Sequence, residues 1–253
     1  DPATEILGLI GSKEGCHHFC LAVVNDGDYA LMTDPGYPAY RASILFAGGT
    51  PYSMPITAKN HYFPVFEDIP VDIAKKTKAM FLCYPNNPTG AVGTKEFFQK
   101  VVEFAKSYDI AVCHDFPYSE ITFNNYKSVS LLSVEGGKDV GIELNSLSKP
   151  YNMTGWRIGM ALGNKDLIAG ISKVKENTDS GVFNAVQYAA IKALNDCDSH
   201  ISKTLKIYKR RRKLVVDMLN RNGWKYKPPK GTFYLWIPVP KGYTSIEFTN
   251  FLF

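Results

Sequence analysis

The sequence predicts an α/β fold, a largely parallel sheet covered by helices. Three observations carry this reading. Apolar runs of strand length alternate with stretches of helical period. The connections between them are short, as in sheets built by crossovers. Polar residues collect at strand exits and helix starts, where open α/β sheets place their ligands. With 253 residues, 45% of them hydrophobic, the chain can fill one sizeable core with a small appendage.

From Asp1-Pro2 through Ile10 the pattern reads as a continuing helix that runs straight into Gly11-Ser12-Lys13-Glu14-Gly15. A helix follows that motif to about Val24. Tyr29 to Thr33 reads as a strand stopped by Asp34-Pro35-Gly36. Pro38 to Phe46 is helical, and Gly48-Gly49 turns the chain into a strand over Thr50 to Ile56. A short helix, Val71 to Lys76, precedes a strand, Lys78 to Tyr84. Thr94 is placed to cap an amphipathic helix with Phe97, Val101, Val102, Phe104 and Ala105 on one face and Glu96 and Lys100 on the other. Strands are predicted over Ile110 to His114, Val140 to Asn145 and Trp156 to Leu162, the last two bracketing a loop that holds Lys149. Helices are predicted over Lys165 to Lys175, Asn184 to Leu194 and Ser199 to Asn220. The last is amphipathic through Leu205, Tyr208, Leu214, Val215 and Leu219, and long enough to bridge to a second domain. Gly231 to Ile237 reads as a strand of that domain, and Phe251-Leu252-Phe253 as helix interior. The expected division is 1–198 for the large domain and 199–253 for the bridging helix and the start of the small one.

The net charge of +5 is spread along the chain. Its densest basic run, Lys209-Arg210-Arg211-Arg212-Lys213, falls in a helical pattern and reads as a solvated face, not a nucleic-acid patch. No apolar run approaches a membrane span, and no signal peptide opens the sequence. Five cysteines (Cys16, Cys20, Cys83, Cys113, Cys197) are odd in number and mostly lie in apolar runs, which predicts reduced core thiols and a cytoplasmic location. Cys16-His17-His18-Phe19-Cys20 has metal-binding residue types but no second ligand cluster, so no metal is expected.

The chemistry concentrates in Ser146-Leu147-Ser148-Lys149 and the following Asn152-Met153-Thr154-Gly155-Trp156-Arg157. A lysine is nucleophilic only where its ammonium form is disfavoured. Two serines and an arginine offer a dianionic phosphate its hydroxyl donors and a bidentate guanidinium. A reactive amine beside a phosphate cup suggests pyridoxal 5′-phosphate, whose aldehyde condenses with lysine as a Schiff base. Ser-x-Ser-Lys alone is common, and a lysine near serines is ordinarily only solvated. Gly155 and Gly159 favour the cofactor, because glycines flanking an aromatic and a cation suggest close backbone approach.

Four segments in this order carry a family resemblance: Gly11 to Gly15, Tyr84-Pro85-Asn86-Asn87-Pro88-Thr89-Gly90, His114-Asp115-Phe116-Pro117-Tyr118, and the lysine segment. Over nearly the whole chain they resemble the fold-type I pyridoxal-phosphate aminotransferases of class I/II. With Asp34-Pro35-Gly36-Tyr37-Pro38 and Phe46-Ala47-Gly48-Gly49 added, they look most like the LL-diaminopimelate aminotransferase branch. The resemblance implies the large domain of that fold, a mainly parallel mixed sheet covered by helices, plus part of a small α+β C-terminal domain. It also implies a fragment of a longer protein, with the arginine for the substrate α-carboxylate beyond Phe253. The implied function is transfer of an amino group between LL-2,6-diaminopimelate and 2-oxoglutarate/glutamate through a Lys149 Schiff base. The implied assembly is a homodimer with shared active sites and no nucleic-acid or membrane partner. Aspartate or aromatic transamination, or carbon–sulfur lysis, would use the same fold. A non-catalytic effector module is the reading from another class, and no winged-helix segment supports it.

On this resemblance Lys149, Asp115 and Tyr118 are catalytic. Asp115 faces the pyridine nitrogen and keeps it protonated. Tyr118 and Asn87 bond the ring 3-oxygen, and Tyr37 stacks on the ring. Backbone amides of Ser12 and Lys13 at a helix N-terminus hold the phosphate, and Ser146, Ser148 and Arg157 complete the cup. Lys13, Tyr37 and Asn87 also meet substrate, with Lys13 reaching its distal end; a solvated Lys13 is the alternative. Pro150 is a departure from relatives and is expected to hold Lys149 in extended backbone.

Overall fold

The computed structural model describes residues 1–253. Its centre is one seven-stranded sheet in the order β1-β7-β6-β5-β4-β2-β3. The strands are β1 (Ile6–Leu9), β2 (Tyr29–Asp34), β3 (Thr50–Pro55), β4 (Thr77–Leu82), β5 (Ala111–Asp115), β6 (Gly141–Ser146) and β7 (Gly159–Gly163). From β6 across to β3 every pairing is parallel, and β7 runs antiparallel to both β6 and β1. β1 therefore points the same way as the parallel block, and its end opens on the same side as theirs.

The central strands are buried on both faces, as a covered parallel sheet requires. In β4, Ala79 and Phe81 join one core cluster while Met80 and Leu82 join the other, which is the two-residue alternation of a strand. Helices α1 (Ser12–Val23), α2 (Ala39–Phe46) and, later in the chain, α6 (Lys165–Glu176) cover the first face. α3 (Val71–Lys76) and α4 (Lys95–Tyr108) cover the second. The Thr94 hydroxyl accepts from the Phe97 N–H at 3.1 Å and caps α4, as its sequence predicts. α5 (Gly137–Val140) is a single turn, and α7 (Asn184–Asp196), α8 (Asp198–Arg221) and α9 (Ser245–Leu252) complete the chain. No helix is long and apolar enough to cross a membrane. All five cysteines are free, and four are buried.

Several expectations are corrected. The segment before Gly11 is not helical: Ile6 to Leu9 is a strand, paired residue for residue with Leu162 to Gly159. Gly8 weakens a helix there, and the open edge of β7 offers backbone partners that a helix would forgo. Trp156 closes a 3-10 turn, and the following strand begins only at Gly159. Gly155 has open space around it, so close approach explains Gly159 alone. Gly231 to Ile237 forms no strand. Only a bridge between Thr122 and Gly231 exists, because no neighbouring strand lies alongside to complete a ladder. On α8 the buried face runs through Ile201, Thr204, Val216 and Leu219, while Leu214 is 64% exposed. Arg212 departs from the solvated face: its guanidinium stacks on Phe123 at 4.0 Å and donates to the Pro229 carbonyl. Ser148 to Pro150 form a turn, closed by the Tyr151 N–H on the Leu147 carbonyl, where extended backbone is expected at Lys149.

Candidate functional site

The sheet gathers its chemistry at one edge. The carboxyl ends of β2, β4, β5 and β6 lead into Tyr37, Asn87, Asp115 and Ser146. β1, parallel to them, delivers the start of α1, and antiparallel β7 begins there just after Arg157. One cavity of about 160 Å³ results, lined by all ten residues singled out from the sequence: Ser12, Lys13, Tyr37, Asn87, Asp115, Tyr118, Ser146, Ser148, Lys149 and Arg157. It is the crevice outside the strand ends that open α/β sheets provide.

One end of the cavity suits an anion. α1 begins at Ser12 with Gly11 before it, and no side chain caps its first N–H groups. Those donors and the helix dipole favour negative charge. Gly11 has φ of 81°, and a Cβ there would collide with the Arg157 guanidinium. Arg157 itself has φ of 54° and donates to the Thr154 carbonyl at 3.0 Å, which leaves the rest of its fork for a ligand. Gly159 is required for the same approach: a Cβ would lie 2.7 Å from the Asn145 oxygen and 2.9 Å from the Ser12 nitrogen. Ser146 and Ser148 are buried, and the Ser148 N–H donates to the Ser146 hydroxyl at 3.1 Å.

The other end is built on Asp115, which is 6% exposed. Its Oδ2 accepts from the Tyr40 hydroxyl at 2.8 Å, and its buried Oδ1 has no partner. An unpaired buried carboxylate oxygen is costly. Burial pushes the Asp115 carboxyl up to about 6, against the pull of the Tyr40 bond and the charges of His114 and Lys149. Tyr118 is buried and bonded to the Tyr234 hydroxyl at 2.9 Å. Burial holds its phenol well above the usual tyrosine range. Of the two adjacent asparagines, Asn86 spends its side chain inside the turn, bonding Cys83, Thr89 and the Thr89 backbone. Asn87 is the one that faces the cavity. Lys149 is half-buried, its Nζ 5.7 Å from the Phe233 ring centre.

Sequence reasoning missed Tyr40, Thr154, Pro117 and Tyr234. Tyr40 had a signal: it follows Tyr37 by one helical turn, and it stacks on Phe81 at 4.8 Å. Tyr234 lay in a segment read as an unrelated strand. The residues present fit a phosphorylated pyridine: donors at the anion end, an orphaned carboxylate oxygen for a ring N–H, and an amine lining the same cavity. The cluster Glu14, His18 and Asp179 has metal-ligand types, but the Lys175 ammonium sits between its carboxylates at 2.6 and 2.8 Å.

Residues 1–249 match the family model for aminotransferase class I and II. The LL-diaminopimelate aminotransferase of Moorella thermoacetica is 52% identical over 250 residues, 99% of this chain and 64% of that protein. The enzyme of that name from Aquifex aeolicus is also 52% identical, over 99% of this chain and 65% of its own length. Among solved structures, substrate-bound BacF of Bacillus subtilis superposes with a TM-score of 0.95 at 39% identity, covering 100% of this chain and 64% of that one. The chain thus spans about two-thirds or slightly less of the relatives it matches.

Proposed function

Because this chain belongs to the class I and II aminotransferases, we propose that it serves pyridoxal-phosphate-dependent transfer of an amino group between LL-2,6-diaminopimelate and 2-oxoglutarate or glutamate. The observation that carries the reading is the unpartnered Asp115 Oδ1, buried beside the cavity that Lys149 also lines. When bound, the cofactor supplies an electron sink for negative charge at the substrate α-carbon. Asp115 holds the proton on the ring nitrogen that makes this possible, with Tyr40 fixing the carboxylate. The N–H groups at the start of α1, Ser146, Ser148 and Arg157 bind the phosphate. Tyr118 and Asn87 would hold the ring at its 3-oxygen, and Tyr37 would pack on its face. Lys149 Nζ takes the proton from the substrate α-carbon and returns it as acid. Lys13 is exposed at the mouth and reaches the distal end of the substrate.

Relatives named LL-diaminopimelate aminotransferase, at 48% to 52% identity, support this substrate. A cytoplasmic homodimer with active sites shared between subunits belongs to the same proposal. Two measurements on the full-length protein test it. Added cofactor produces a visible difference band in wild type that Lys149→Ala lacks; a band in both removes Lys149 from its role. A donor panel with 2-oxoglutarate yields glutamate from diaminopimelate; turnover with aspartate and none with diaminopimelate overturns the substrate assignment.

A further inference from the structure

We propose that Tyr234 is a positioning residue for the cofactor ring: it donates a hydrogen bond to the Tyr118 hydroxyl and thereby turns that hydroxyl's proton toward the ring oxygen. The inference rests on the cofactor reading above.

The two hydroxyls lie 2.9 Å apart, and the rings meet edge to face at 5.7 Å and 76°. Both residues line the cavity. Tyr234 arrives from beyond α8, yet its place is fixed by the very loop that carries Tyr118. The Thr232 N–H donates to the Ile121 carbonyl and the Phe123 N–H to the Lys230 carbonyl, each at 2.8 Å. Thr232 is 1% exposed, and its hydroxyl accepts the Tyr234 N–H at 3.2 Å. Arg212 ties the same two stretches, stacked on Phe123 and bonded to Pro229. The contact between the hydroxyls is therefore a built one.

A phenol has one proton to give and lone pairs to accept with. Burial keeps Tyr118 protonated. Once its proton is committed to the ring oxygen, the bond from Tyr234 can only be accepted. Chained donors polarise one another, so the Tyr234 hydroxyl makes Tyr118 a stronger donor. With the ring bound, a stronger donor would stabilise negative charge on the ring oxygen and so lower the pH at which the visible absorption titrates.

The test is a pH titration of the visible absorption of the full-length holoenzyme. Tyr234→Phe keeps the ring and its packing and removes only the hydroxyl. It raises the titration midpoint by roughly 0.3 of a pH unit or more. Tyr118→Phe raises it further, and the double variant Tyr118→Phe, Tyr234→Phe matches Tyr118→Phe alone. An unchanged midpoint in Tyr234→Phe, or a shift that adds in full to that of Tyr118→Phe, overturns the proposal. A Tyr234→Phe protein that no longer binds the cofactor also overturns it, since the role is then structural. A wild type with no visible band overturns the cofactor reading itself and this inference with it.

Discussion

In its proposed role Asp115 sets function against stability within one side chain. Without a ligand, burial pushes its carboxyl up to about 6 from the ordinary aspartate value of 3.8. The folded state binds this proton more tightly than the unfolded one. Well below pH 3.8 both states are protonated and the site carries no penalty. As pH rises through the window from 3.8 to 6 the unfolded chain ionises first, and folded-state stability falls. That rise from 3.8 to about 6 corresponds to about 3 kcal/mol at neutral pH. Asp115→Asn removes that penalty. The ligand-free variant is therefore expected to be more stable than wild type at pH 7 by up to about 3 kcal/mol, and the gap should shrink to below about 1 kcal/mol at pH 4. Cofactor affinity should fall in the same variant. Urea unfolding of both proteins at pH 4, 5, 6 and 7 checks this; a gap that does not depend on pH contradicts it.

At the scale of elements, the end of α1 that opens on the cavity is held by a tie to α6. Lys175 is 7% exposed and reaches Glu14 at 2.6 Å and Asp179 at 2.8 Å. Burial pushes its ammonium down, but the bonds to Asp179 and Glu14 outweigh this and hold it above its ordinary value. The other Glu14 oxygen accepts from the Ile10 N–H, so the same carboxylate anchors the turn that opens α1. Lys175→Ala leaves two largely enclosed carboxylates facing each other and should destabilise the protein by about 2 kcal/mol. Lys192→Ala, which breaks the exposed pair with Asp196, should change stability by less than about 0.5 kcal/mol. Urea midpoints distinguish the two. Glu14 stands in a motif visible from sequence, but its partner lies on another helix, and no local pattern joins them.

For the whole molecule, large apolar side chains remain outside the core. Phe183 is 74% exposed and Tyr188 on α7 is 73% exposed. Exposed apolar surface of this kind suits subunit contact, and the proposed homodimer supplies it. Tyr188→Asp in the full-length protein should shift light scattering from dimer toward monomer, with a matching loss of activity. Unaltered dimers with full activity would place the interface elsewhere.

The sequence by itself determined the alternation of strands and helices, the cap at Thr94 and the ten residues that meet in one cavity. The first two rest on local information, a period or a capping residue; the ten residues were legible through the family resemblance of the motifs that hold them. Only the tertiary structure decided that Ile6 to Leu9 is a strand, because its reason is the open edge of β7. It alone withheld strand structure from Gly231 to Ile237 and set Tyr234 against Tyr118 instead. It alone gave Asp115 the Tyr40 hydroxyl and left one oxygen free. Hydrogen-bond partners distant in sequence depend on how the sheet brings its ends together, and no window along the chain contains both of them.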